Sequence, residues 1–97
     1  MTATYRHRFR IDPDHPALPG HFPGQPVVPG VVLLDQVAAA VEQQGRTLQR
    51  LVQVKFLLPL LPDQDAELVL SADGERIRFG ISAADREVAN GIVEAVP

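Results

Sequence analysis

Residues 15–41 read HPALPGHFPGQPVVPGVVLLDQVAAAV, a loop braced by proline and glycine that runs directly into an apolar helix. Six prolines fall between Asp12 and Pro29; they fix φ at many points, so the loop is stiff without being regular and can hold a side chain still. Pro29-Gly30 suits a first helical turn and Gly45 a left-handed C-terminal position, which predicts a helix of about four turns between them. Val31, Val32, Leu33, Leu34, Val37 and the run from Ala38 to Val41 leave hardly any polar face. Such a helix is expected to be covered by protein along most of its length.

Upstream, residues 4–11 alternate Tyr5, His7, Phe9 and Ile11 with Thr4, Arg6, Arg8 and Arg10, the period-two pattern of a strand with one oily and one charged face. The three arginines share that face, either as a landing site for an acidic partner protein or as a solvated surface. Downstream, Leu48 to Leu61 is a long apolar run that Pro59 and Pro62 bring to an end, followed by a strand from Glu67 to Ala72. Asp73-Gly74 is a hairpin signal leading into Arg76 to Ser82. The last strand, Glu87 to Val96, contains Asn90-Gly91, read as a bulge in one strand rather than as a second tight turn. One helix and five strands joined by short turns make an α+β chain with a mainly antiparallel sheet. So apolar a helix is covered only if the sheet curls around it, if a second copy closes the structure, or both.

At 97 residues the chain is expected to be one domain, 1–97, burying roughly 60–65% of its unfolded surface. A content of 45% hydrophobic and 22% charged residues is that of a soluble globular protein, with no membrane span. No cysteine is present, which removes disulfides, thiolate nucleophiles and thiolate-bound metals and suits a reducing cytoplasm. The N-terminus MTATYRHRFR lacks the apolar core of a signal peptide, so a cytoplasmic location is expected. A net charge of −3 argues against nucleic-acid binding.

Within the central stretch, Asp35 has Val31, Val32, Ala38 and Ala39 as its helical neighbours, all apolar. The expectation is a buried carboxyl, and burial favours the protonated form that a general acid needs. His21, held in the stiff loop, suits a general base near neutral pH. His7 falls on the apolar face of the first strand and reads as a core residue, and His15 as a loop brace. The three histidines have no metal-ligand spacing. Because Pro29 has no N–H, the first unpaired donors at the helix mouth belong to Gly30 and the residues after it, a place suited to a carbonyl oxygen. Base, acid and polarised carbonyl together describe loss of water from a 3-hydroxyacyl thioester. In that reaction His21 takes the C2 proton, Asp35 protonates the departing C3 hydroxyl, and the Gly30 amide steadies the charge on the thioester oxygen. The apolar helix wall, with Phe22, Val31, Val32 and Leu34, would line the acyl pocket.

Gly20-His21-Phe22-Pro23-Gly24, Pro26-Val27-Val28-Pro29-Gly30 and Leu33-Leu34-Asp35 resemble the hotdog-fold β-hydroxyacyl-acyl-carrier-protein dehydratases. Val54-Lys55-Phe56-Leu57 with Pro59 and Pro62 extends the likeness, which covers roughly residues 12–65. The resemblance implies a curled antiparallel sheet of about five or six strands wrapped around one central helix. It implies a hydro-lyase in fatty-acid or polyketide/aryl-polyene-type synthesis, with His21 and Asp35 catalytic and Gly30 binding the carbonyl. It also implies a homodimer in which His21 of one subunit faces Asp35 of the other, an acyl carrier protein as the substrate-bearing partner, and no metal or organic cofactor. Aspartate at position 35 is the choice of the dehydratase/isomerase branch, and the family's Pro-Gly-Asp turn is replaced by Pro62-Asp63-Gln64-Asp65. The competing readings are a hotdog thioesterase, against which the histidine of His21-Phe22-Pro23-Gly24 argues, and a non-catalytic acyl-thioester-binding subunit.

Overall fold

The structure is a computed structural model that describes residues 3–18 and 27–97. Its elements are β1 (Ala3–Phe9), α1 (Gly30–Gln43), β2 (Thr47–Phe56), β3 (Ala66–Asp73), β4 (Arg76–Ala83) and β5 (Arg86–Val96). The strands form one antiparallel sheet in the order β1-β3-β4-β5-β2, with α1 against its inner face, which is the hotdog arrangement.

Alternation decides which face is inner. In register, Leu70 pairs with Tyr5 and Phe79, and Ile77 with Ala72 and Val93. The buried Leu68, Leu70, Ile77, Phe79, Ile81, Ala89, Val93 and Ala95 on this face meet Val32, Leu33, Val37, Ala40 and Val41 of α1. His7 is half-buried on the same face, stacked between Tyr5 and Phe9 with ring centroids 6.5 and 6.4 Å away.

Pro29 caps α1 from an extended conformation (φ −61°, ψ 147°) without a side-chain hydrogen bond. At the other end Gly45 takes φ 78°; its N–H donates to the Glu42 carbonyl at 2.9 Å and the Arg46 N–H to the Val41 carbonyl at 3.3 Å. That pair of bonds is a Schellman closure, which requires a left-handed residue where the sequence supplies glycine. Gly74 (φ 63°) likewise turns β3 into β4.

Two expectations are corrected and one is narrowed. Asn90-Gly91 holds no bulge: both residues stay in register with β4 and with β2. Gly91 is instead forced by crowding, because a Cβ there would lie 2.6 Å from the Phe79 ring and would collide with the Gln53 carbonyl oxygen. The register shifts fall within β2, between Leu48 and Arg50 and between Leu51 and Gln53, and opposite Ile81–Ser82 of β4. Second, of the two readings of the arginine stripe, the solvated surface fits: Arg6, Arg8 and Arg10 are exposed and ion-paired along it, Arg6 and Arg8 with Glu67 at 3.2 and 3.9 Å and Arg10 with Asp65 at 2.6 Å and Asp63 at 3.5 Å. Third, α1 is not enclosed by one chain. Val31 is 62% exposed, and Asp35 and Ala39 are also exposed. The sheet covers one side of the helix and leaves this i, i+4, i+8 stripe uncovered.

Candidate active site

The entry to α1 is tied to the segment after β2. The Val28 N–H donates to the Leu60 carbonyl at 2.8 Å, while the N–H groups of Leu57 and Leu58 both donate to the Val88 carbonyl at 2.8 and 3.2 Å. These bonds bring residues 56–60 alongside the helix mouth. Between them lies a cleft of about 470 Å³ lined by Val27, Val28, Pro29, Gly30, Leu33 and Phe56–Leu60. Its walls are apolar apart from the backbone. The N–H groups of Val32 and Leu33 reach back to the Pro29 carbonyl at 3.0 and 3.4 Å. Gly30 and Val31 have no carbonyl upstream within the helix to receive theirs. An oxygen placed in the cleft would meet these donors at the positive end of the helix dipole.

The Phe56 ring packs directly across from Gly30, in the space a side chain there would take. A Cβ at position 30 would stand 2.7, 2.9 and 3.1 Å from three atoms of the Phe56 ring. Sequence reasoning singled out Gly30 but not Phe56, whose signal was its place in the Val54-Lys55-Phe56 strand.

Asp35 lies elsewhere. It is exposed and is not among the residues lining the cleft. The burial expected from its apolar helical neighbours does not exist within one chain, because Val31 and Ala39, one turn to either side, are exposed as well. Of the proposed pocket lining, Val32 is a core residue at 2% exposure, Leu34 is half-buried and Val31 faces outward, whereas Leu33 reaches the cleft. His21 and Phe22 lie outside the described residues. His15 braces the loop as expected: its Nδ1 accepts from the Ala17 N–H at 3.0 Å and its carbonyl from the Leu18 N–H at 3.0 Å.

The turn after Pro62 shows how the chain departs from the Pro-Gly-Asp pattern. Asp63 takes φ 67°, the left-handed conformation that glycine would adopt freely, and its N–H donates to the Ile11 carbonyl at 2.7 Å.

An apolar cleft at the start of α1, reached through a Pro-Gly step, is thus set in a hotdog fold. The ApeI-like family model, described as ApeI dehydratase, matches residues 2–92, and the chain belongs to that family. It is 32% identical over 94 residues to the 3-hydroxyacyl-[acyl-carrier-protein] dehydratase FabZ of Mannheimia succiniciproducens, over 81% of this chain and 63% of that protein. The chain thus spans slightly less than two thirds of the length of this curated relative. Among solved structures it superposes on an uncharacterized protein from Erwinia carotovora subsp. atroseptica with a TM-score of 0.84 and 31% identity, covering 99% of this chain and 85% of the other. It also superposes on the dehydratase heterocomplex ApeI:P from Xenorhabdus doucetiae with a TM-score of 0.84 and 25% identity, covering 97% and 88%.

Proposed function

We propose that the chain eliminates water from 3-hydroxyacyl thioesters to give trans-2-enoyl thioesters, working as a pair of copies with the thioester presented by an acyl carrier protein. The observation that carries the reading is the cleft at the α1 mouth, where backbone donors without an acceptor among the described residues meet an apolar wall. A thioester oxygen held by the Gly30 N–H becomes more electron-withdrawing, which acidifies the C2 proton. His21 takes that proton, Asp35 protonates the C3 hydroxyl as it leaves, and C2=C3 forms as water departs. Phe22, Val31 and Leu34 would face the acyl chain once two copies are joined, whereas Val32 stays in the core.

The placement of Asp35 supports the paired arrangement. A carboxyl meant to act on a substrate in the cleft is useless on the open side of its own helix, but it serves if that side packs against a second site. The uncovered stripe Val31–Asp35–Ala39 lies on α1, and α1 contacts β2, an edge of the sheet. On β2, Leu51 and Val52 are 41% and 37% exposed. An edge strand with unpaired backbone groups and exposed apolar residues invites another strand. Two copies joined along β2 would cover the stripe and bring each Asp35 toward the other copy's His21. A cytoplasmic location suits a chain without cysteine, and no helix among the described residues is long and apolar enough to cross a membrane.

The test is hydration of a trans-2-enoyl thioester, followed by loss of enoyl absorbance, on carrier-protein and coenzyme A substrates. Wild type is compared with His21→Ala and Asp35→Asn, and sedimentation gives the copy number. Turnover abolished by both substitutions in a folded dimer is the expected result. Release of free thiol without hydration would identify a thioesterase instead, and binding without either reaction would identify an acyl-thioester-binding subunit.

A further inference from the structure

We infer that His15 is a positioning residue for the proposed elimination: the lone pair on its Nδ1 sets the direction in which the chain leaves Leu18, three residues ahead of His21. The inference rests on the dehydratase reading, in which His21 is the base.

Between β1 and α1 two side chains close turns over the same span. The Asp12 carboxylate accepts from the Asp14 N–H at 2.8 Å, and Nδ1 of His15 accepts from the Ala17 N–H at 3.0 Å. Aspartate and asparagine often bond the backbone two residues on; the second bond is the same device made with an imidazole. The backbone turns in step, with the His15 N–H donating to the Asp12 carbonyl at 2.9 Å and the Leu18 N–H to the His15 carbonyl at 3.0 Å. Pro16 has no N–H, so Ala17 offers the first donor that His15 can capture. The backbone bond from Leu18 is compatible with either orientation of the Pro16–Ala17 peptide, the feature that separates type I from type II turns. The bond to Nδ1 is compatible with only one.

This bend is anchored on both sides. The Ile11 carbonyl ahead of it accepts from the Asp63 N–H at 2.7 Å, while behind it Ala17 packs on the core and Leu18 is buried. Three residues from Leu18 to His21 reach at most about 11 Å, and over that lever a change in direction of about 6° displaces the far end by about 1 Å. A misplacement of about 1 Å can cost on the order of 100-fold in rate. The helix mouth is tied independently, by the Val28 N–H on the Leu60 carbonyl, so the cleft keeps its form when the His15 bond is lost. The defect therefore falls on proton removal and not on binding.

The experiment measures kcat and KM for hydration of crotonyl thioesters of carrier protein and of coenzyme A by wild type, His15→Ala, His15→Asn and His15→Gln. Rates are expressed per folded enzyme, with the folded fraction read from urea unfolding. The Asn Oδ1 sits as many bonds from the backbone as Nδ1, whereas the Gln oxygen lies one carbon further out. His15→Ala and His15→Gln should lose about 10–100-fold in kcat with KM moved less than about threefold, and His15→Asn should stay within about threefold of wild type in both. If His15→Ala does not fold, the comparison of asparagine with glutamine decides. Wild-type kcat in His15→Ala, or His15→Gln matching His15→Asn at any level, overturns the positioning role and spares the dehydratase reading. A wild type inert on both thioesters overturns both.

Discussion

Gly91 and Gly80 lie on adjacent strands, at positions that differ by one step in register, and alanine at each should have opposite effects on stability. Phe79 pairs with Gly91 and Gly80 with Asn90, so Gly91 points to the inner face and Gly80 to the outer. A methyl at position 91 meets the Phe79 ring at 2.6 Å and the Gln53 carbonyl oxygen. Two relaxations are open. The ring, 3% exposed, can leave its place and give up burial worth about 1.5–3 kcal/mol. Alternatively β2 can draw away from β5 and lose ladder bonds at about 1 kcal/mol each. Either route puts Gly91→Ala at about 2–4 kcal/mol of destabilisation, a large share of the ~5–15 kcal/mol available to a domain. At position 80 the same methyl meets nothing within 4 Å. Gly80→Ala only restricts the unfolded chain and should be neutral or stabilising by up to about 1 kcal/mol. Urea unfolding followed by circular dichroism reads both: Gly91→Ala should lower the midpoint by about 1–3 M and Gly80→Ala should not. Coincident midpoints for the two variants would refute the crowding argument.

Gly30→Ala should separate stability from activity, because the half-exposed Phe56 can swing aside at little cost while the carbonyl site is blocked; unfolding should shift by less than about 1 kcal/mol as hydration activity disappears. In the β4–β5 turn Ala84 and Asp85 take φ 51° and 60°, and the left-handed conformation costs alanine more than aspartate. Ala84→Gly should therefore stabilise by about 0.5–1 kcal/mol, visible as a rise of a few degrees in Tm. The hydrogen bond from Arg10 to Asp65, with the charges of Asp65 and Asp63, holds the guanidinium above its ordinary value. A raised cation contributes stability below its unfolded-state value and loses it only as pH climbs through the higher folded one. Arg10→Gln should accordingly leave the shape of the stability profile between pH 4 and pH 9 unchanged, as denaturation midpoints across that range would show.

The parts of the fold legible in the sequence were those set by local chemistry. Pro29-Gly30, Gly45 and Asp73-Gly74 marked the helix start, the helix end and a hairpin because each backbone conformation there is one that those residues favour. The β4–β5 turn carries no such mark, since Ala84-Asp85 is driven into a left-handed turn by the pairing on either side. Gly91 was misread because its reason is a ring twelve residues away, a contact invisible until register is known. The arginines at 6, 8 and 10 were placed on one face correctly, but their partners sit 55 to 61 residues downstream, on β3 and just before it. At the site, Gly30 could be picked out from its step after Pro29, whereas Phe56 needed the coordinates. The burial expected of Asp35 failed because an apolar helix surface need not be covered by the chain that carries it.

Sheet order also bears on how the molecule assembles in time. β3, β4 and β5 follow one another through tight turns and can zip together as a local meander. β1 reaches β3 across most of the chain, from Ala3 to Ala72, and β2 reaches β5 across the entire meander, from Thr47 to Val96. Closing such long loops slows pairing, so the two flanks join a meander that is already formed. The flanks are also the strands held on one side only, and they open first when native packing fluctuates. β2 is one of them. Within a single copy, the strand that carries Phe56 to the mouth of α1 is thus expected to form late and to loosen first, and joining two copies along β2 would hold that strand, and the cleft beside it, from both sides.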